Sequence, residues 1–305
     1  MPAQILAPSP LLQYRHVIFP SALNRRKKVI NYGATAEPRA LARTAEAKLP
    51  VDQAAFVQWL FRQADLDATA YNAETLQRRL PACLRTLRVP TVGEAQRLLE
   101  RQPALVVEAI SAMLVGVTSF FRDPEVFDLL ERDLLPAMMT GRSGLYVWSA
   151  GCSDGAELYS LGMIFAEKGW LPGSYLVGTD CREDALARAR AGLFDPMACK
   201  NLPAHLKEQY LHSEGPRWRV VSRVRNALRW RTADLLQGQE PGVWDVILCR
   251  NTTMYLQAET ANRLWPKFEA LLRPGGLLVL GKAERPVGVK RLTSLGPCLY
   301  RRIRG

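Results

Sequence analysis

From residue 146 onward the chain alternates short, almost uninterrupted apolar runs with stretches of helical period, and nothing else in the sequence constrains the fold as strongly. Strands are expected at Tyr146–Ala150, Tyr175–Thr179, Leu228–Thr232, Trp244–Cys249 and Leu277–Leu280, and helices at about 156–168, 183–191 and 258–272. A strand that is apolar at successive positions must be covered on both faces. Strands of that kind separated by helices predict an α/β fold built on a parallel, doubly wound sheet. The stretch 298–303, after the turn Gly296-Pro297, is expected to add an antiparallel edge strand. Between Leu193 and Leu228 the run Trp218-Arg219-Val220-Val221 alternates within polar surroundings. A segment of about 35 residues is too long for an idle loop, so a small inserted β-subdomain is expected there.

Ahead of the sheet, residues 51–135 read as helical. Phe56, Leu60 and Phe61 recur at three-to-four spacing, as do Leu76, Leu80 and Leu84, then Ala109, Met113 and Val117. Breaks are expected at Pro81, Pro90 and Pro103, and a helix start at Asp123-Pro124 with the aspartate capping free amides. A chain of 305 residues fits about two domains, each with a core of its own. The boundaries read as an extension at 1–50, a helical domain at 51–135 and a sheet domain at 136–305, with the insertion at about 193–228.

The net charge of +12 raises the question of nucleic acid, and its distribution answers in part. Residues 1–50 hold eight Lys/Arg against Glu37 and Glu46, about half of the excess, including Arg25-Arg26-Lys27-Lys28, while 51–120 are close to balanced. The extension therefore reads as a poorly ordered or surface-laid basic arm. It is suited to acidic protein, anionic lipid or nucleic acid, or to solubility alone. Its apolar start is interrupted by Pro2, Pro8 and Pro10 and precedes the basic cluster, the reverse of a secretory signal. The uncharged stretch 109–121 is shorter than a membrane span. Six cysteines without a CxxC and three scattered histidines form no zinc-ligand spacing. A reduced, cytoplasmic, metal-free protein is expected.

The chemistry should lie where strand ends feed helix starts, since free amides and helix dipoles gather there. The first strand ends in Gly151-Cys152-Ser153-Asp154-Gly155, whose glycines are four apart, unlike the GxGxxG of a dinucleotide binder. Asp180 closes the second strand, where a carboxylate suits the two hydroxyls of a ribose or caps its own helix. Asp234 follows the third strand, at the level of an adenine amino group. Arg250-Asn251 follows the fourth, with Tyr255 four residues on. Together these define one polar rim fit for an adenosine-containing cofactor.

Five motifs in order now resemble those of CheR-type protein-glutamate O-methyltransferases, which methylate chemoreceptors with S-adenosylmethionine. Thr118-Ser119-Phe120-Phe121-Arg122-Asp123-Pro124 is similar to TxFFRxP, and Ser149-Ala150-Gly151-Cys152-Ser153-Asp154-Gly155-Ala156-Glu157-Leu158-Tyr159-Ser160 to SAxCSxGEEPYS. Gly178-Thr179-Asp180, Cys249-Arg250-Asn251-Thr252-Thr253-Met254-Tyr255-Leu256 and Leu272-Arg273-Pro274-Gly275-Gly276 resemble the remaining three. The resemblance, over about 51–303, implies a helical domain on a class I methyltransferase fold. It implies cofactor contacts from Thr118, Arg122, Glu157, Asp180, Asp234, Leu235, Arg250 and Asn251, with Arg122 and Tyr255 flanking the reacting methyl. S-adenosylhomocysteine would be the product. The chain departs from the pattern at Gly116, where the family has an Asn among its cofactor contacts, at Ala156 and at Leu158, and its Gly281-Lys282-Ala283-Glu284 is only similar to GxSE.

The expected function is methyl transfer to glutamate carboxylates of an acidic receptor or signalling protein by a monomer that does not insert into membrane. Arg78, Arg79, Arg85 and Arg88 fall on or near one helix that could meet such a partner. A small-molecule acceptor and a non-catalytic cofactor-binding module are the alternatives. No NPPY-like motif points to a nucleic-acid base.

Overall fold

Polar side chains start the second and third helices. The computed structural model describes residues 49–114, 116, 118–238 and 242–303, so the basic arm expected before residue 49 lies outside the described residues. Helix α1 (Val51–Arg62) turns Phe56, Val57, Leu60 and Phe61 inward. Helix α2 (Ala73–Leu87) opens at Asn72, whose side-chain oxygen accepts from the amides of Glu74 and Thr75, and α3 (Val92–Arg101) opens at Thr91, whose hydroxyl accepts from Glu94. A short 3-10 turn begun by Pro103 leads into α4 (Val106–Met113).

The break expected at Pro81 is absent, since α2 runs straight through it. Pro81 and Gln77, whose carbonyl loses its helical partner, both lie on the exposed face, where water can replace the missing bond. Helix α5 (Pro124–Leu129) passes through a π turn (Leu130–Leu134) into α6 (Leu135–Met139). Asp123 precedes α5 but does not cap it. The residue is left-handed, at φ 58°, and its carboxylate is drawn instead into ion pairs with Arg250 and Lys282.

The sheet domain then runs β1 (Tyr146–Ala150), α7 (Ala156–Glu167), β2 (Tyr175–Asp180), α8 (Glu183–Ala191), β3 (Leu193–Phe194), α9 (Ala204–Tyr210), β4 (Leu211–Glu214), β5 (Arg217–Val220), α10 (Ser222–Arg225), β6 (Leu228–Thr232), β7 (Trp244–Cys249), α11 (Ala258–Leu271), β8 (Leu272–Leu280), β9 (Leu292–Gly296) and β10 (Leu299–Arg302). The seven-stranded sheet has the order β6-β2-β1-β7-β8-β10-β9. Its first five strands pair in parallel, and β10 pairs antiparallel with both neighbours. The antiparallel strand expected at 298–303 thus lies one place in from the edge. The edge is β9, a half-exposed Leu-Thr-Ser-Leu-Gly segment with no apolar run to announce it. The 193–228 insertion is a three-stranded antiparallel sheet, β3-β5-β4, carrying α9 and α10.

Alternation along the strands sends side chains to opposite faces. Val147, Leu176, Val246, Leu248, Leu277 and Val279 join one buried cluster with α5, α7 and α10. Trp148, Val177, Ile247, Cys249, Leu278 and Leu280 join the other, which contains the apolar residues of α1 to α4 and α11. The N-terminal helices therefore bury their stripe against the sheet instead of closing a separate core. That packing brings them to the strand C-termini. Among the described residues no helix is long and apolar enough to cross a membrane.

Candidate active site

Because β6, β2, β1 and β7 are neighbours in that order, the polar residues at their C-terminal ends meet along one rim. The turn after β1 is held by the Cys152 amide donating to the Thr179 carbonyl (2.9 Å) and the Ser153 amide donating to Asp180 Oδ2 (2.8 Å). Gly155 closes the turn at φ 84°, where a Cβ would stand 2.3 Å from the Trp230 ring, so no larger residue fits.

Asp180 is 6% exposed, and its other oxygen accepts from the Arg182 amide (3.0 Å) and Nε (3.1 Å). It faces the cleft, and its hydrogen bonds go to the turn after β1 and to Arg182, not to a first-turn amide of α8. Asp234 accepts from the Leu236 amide at 2.9 Å, and burial raises its pKa. Glu157, at the start of α7, accepts from the Ser149 hydroxyl (3.1 Å) and pairs with Arg250 Nη1 (3.1 Å). Burial raises its pKa, with Arg250 acting against that rise.

The segment 118–122 is pinned by its aromatic residues. Phe120 is fully buried, its ring 4.7 Å from that of Phe194, and the Phe121 amide donates to Ser160 Oγ at 3.0 Å. With both rings inside, Arg122 lines the cleft. Its carbonyl accepts from Arg250 Nη2 at 2.9 Å. The Arg250 side chain is 1% exposed and also pairs with Asp123 at 2.6 Å. Arg250 lines the cleft, yet its guanidinium is committed to Glu157, Asp123 and Arg122, so it acts by holding those groups in place.

The loop after β7 is organised by Glu284, the acid of the segment only similar to GxSE. Glu284, 3% exposed, accepts from the amides of Asn251 (2.9 Å), Thr252 (3.0 Å), Thr253 (2.8 Å) and Gly281 (2.7 Å), and from the Thr253 hydroxyl (2.7 Å). Four converging amides hold Asn251 in the left-handed region at φ 56°. The helical segment closes the same loop. Asn72 N–H donates to the Tyr255 carbonyl (2.9 Å), Gln257 N–H donates to the Ala70 carbonyl (2.8 Å), and Tyr71 and Leu256 form an isolated antiparallel bridge.

All nine residues singled out in the sequence, Thr118, Arg122, Glu157, Asp180, Asp234, Leu235, Arg250, Asn251 and Tyr255, line one cleft of about 1140 Å³ measured to its open mouth. Tyr71, Thr75, Leu76 and Met113 of the helical segment complete its wall. Sequence reasoning missed Arg182 and undervalued Glu284. Arg182 carried a signal, since a cation directly before a helix opposes the helix dipole and needs another reason to be there. Glu284 carried only its spacing from Gly281.

The residues present fit S-adenosylmethionine. Carboxylates stand at the ends of β2 and β6, and the buried side-chain oxygen of Asn251, in the cleft wall, has no hydrogen-bond partner. An orphaned acceptor of that kind calls for a donor from a ligand or water.

Comparison with known proteins agrees with the geometry. Residues 116–297 match the family model described as CheR methyltransferase, SAM binding domain, and residues 52–114 match CheR methyltransferase, all-alpha domain. A chemotaxis protein methyltransferase of Listeria monocytogenes is 30% identical over 238 residues, covering 78% of this chain and 91% of its own. One from Klebsiella aerogenes is 32% identical over 273 residues (85% and 92%), and chemotaxis protein methyltransferase 1 of Pseudomonas aeruginosa 33% over 208 residues (64% and 76%).

Proposed function

The chain belongs to the CheR family of S-adenosylmethionine-dependent methyltransferases, and from that premise we propose that it methylates glutamate side-chain carboxylates of a chemoreceptor or related signalling protein. The observation that carries this reading is that Arg122 and Tyr255 share one cleft with the strand-end carboxylates Asp180 and Asp234.

S-adenosylmethionine, when bound, supplies an electrophilic methyl on a sulfonium. Asp180 is suited to ribose hydroxyls, Asp234 and Leu235 to the adenine end, and Glu157, Thr118 and Asn251 to the remaining polar groups. A glutamate acceptor is ionised near neutral pH and needs no general base. The chain's task is then alignment and exclusion of water. Arg122 offers a planar, permanently charged fork to hold the acceptor carboxylate, and Tyr255 offers a hydroxyl to orient it. Arg250 keeps both Glu157 and the Arg122 backbone in register with the cleft.

An acidic acceptor is supported by Arg78, Arg85 and Arg88, which are exposed on or beside α2. Arg79, expected among them, is instead spent on the Ala112 carbonyl (3.0 Å). Incubation with methyl-labelled S-adenosylmethionine and a receptor cytoplasmic fragment should give protein-bound label that is released by base. Label on small molecules alone, or base-stable label, overturns the proposal.

A further inference from the structure

Arg182 stands where elementary electrostatics disfavours it. It precedes α8, whose free amides repel a cation, and the residue is 8% exposed. Every donor group has a partner. Nε pairs with Asp180 Oδ1 (3.1 Å), Nη1 donates to the Leu114 carbonyl (2.8 Å), and Nη2 donates to Ser153 Oγ (3.0 Å). That hydroxyl donates onward to the Gly116 carbonyl at 3.1 Å. Leu114 and Gly116 belong to the strap that leads from α4 to the Phe120-Phe121 anchor, and Leu114, Gly116 and Thr118 all line the cleft.

One side chain thus joins three parts of the site: the strand-end carboxylate, the turn after β1 and the strap over the cleft. Space at Gly116 is a condition of this arrangement. A Cβ there would lie 2.1 Å from Ser153 Oγ and 2.4 Å from Arg182 Nη2, so a side chain at 116 and the guanidinium exclude each other.

We propose that Arg182 is a positioning residue for the cofactor, latching the strap at Leu114 and Gly116 to Asp180, and that the glycine at 116 exists to admit it. The inference rests on the reading of the cleft as the S-adenosylmethionine site. Among the described residues of the strap, Leu114 and Gly116 are held through their carbonyls by Arg182 and Ser153, so the latch meets part of the ordering cost before the ligand arrives and raises affinity by that amount. Linkage makes the effect mutual, since a ligand held by Asp180 and the strap must in turn order the strap.

The test is titration calorimetry with S-adenosylhomocysteine, together with hydrogen exchange at residues 114–119, on the full chain. Arg182→Ala should raise Kd about tenfold or more, the loss expected for a charge-assisted contact. Arg182→Lys should fall between, because a point charge reaches one of the three acceptors and not all. Gly116→Asn should weaken binding as Arg182→Ala does, and the double variant should be no weaker than either single one. In the wild type the ligand should slow exchange across the strap. In Arg182→Ala the strap should exchange faster than in the wild type without ligand and be slowed only by saturating ligand, while β1 and β7 amides stay protected. The KM for S-adenosylmethionine should rise with little change in kcat, because the latch acts on ligand retention. Failure of the wild type to bind S-adenosylhomocysteine overturns the cleft reading itself. Wild-type binding with equal affinity and equal strap protection in Arg182→Ala and Arg182→Lys overturns the latch alone. Multiplying effects in the double variant also overturn it, because independent sites do not share a space.

Discussion

Replacing Glu284 by Gln keeps size and shape while turning one of its two oxygens into a donor. Oε1 accepts from Thr252, Thr253 and the Thr253 hydroxyl, and Oε2 from Asn251 and Gly281. Whichever way the new amide settles, its NH2 faces at least two buried N–H groups. The orientation of least cost puts it against Asn251 and Gly281. Two hydrogen bonds to a carboxylate are then lost and two backbone donors are left without an acceptor. At about 1.5–3 kcal/mol for each bond to a charged group, the loss is about 3–6 kcal/mol, with relaxation of the loop favouring the lower figure. In a chain of this size that lowers Tm by roughly 10 °C. Asn251 also loses what holds it at φ 56°, so S-adenosylhomocysteine should bind more weakly as well as the fold being less stable. Urea denaturation gives the stability change from the midpoint at constant m, and calorimetry gives the affinity. A stability change below about 1 kcal/mol with unaltered affinity refutes the claim that this carboxylate builds the loop.

Three further expectations follow from the same geometry. Asp180→Ala should weaken S-adenosylhomocysteine binding by about 1.5–3 kcal/mol in calorimetry and also destabilise the fold, since the buried Arg182 guanidinium loses its partner; unchanged affinity removes the ribose assignment. Tyr255→Phe should leave that affinity nearly intact while lowering single-turnover methyl transfer, because its hydroxyl acts on the acceptor, and an equal rate in the variant ends its catalytic role. Burial raises the pKa of Asp154 to about 6 from an ordinary 3.8. The protonated form is favoured by folding, so this contribution is full below pH 3.8 and is lost as pH rises through about 6. Asp154→Asn should therefore gain stability at pH 7 by up to about 3 kcal/mol and lose none near pH 3.5, read from urea midpoints at both values. Equal shifts at the two pH values contradict this.

Strands β1, β2, β7 and β8 were legible because burial on both faces requires continuous apolar residues, and that requirement is written locally. Asp180, Asp234 and Asn251 were legible as polar residues at or just beyond the strand ends. Residues 292–296 were not, because an edge strand with one half-exposed face needs no such run. Pro81 misled, because a missing hydrogen bond on an exposed helix face is a modest loss that packing of the opposite face outweighs. Asp123 misled differently. A cap is a local option, and the ion pair with Arg250 that displaced it joins residues far apart in the chain.

The sequence by itself thus determined the parallel strands, the helices between them and the polar residues at the strand ends, since these follow from the nearest few neighbours. Only the tertiary structure decided that the helical segment would share its core with the sheet, that Glu284 would gather four amides, and that Arg182 would reach through the space left by Gly116. Those outcomes turn on buried polar groups finding partners, and a buried charge is satisfied by whatever donor or acceptor the fold brings within about 3 Å, at any distance along the chain.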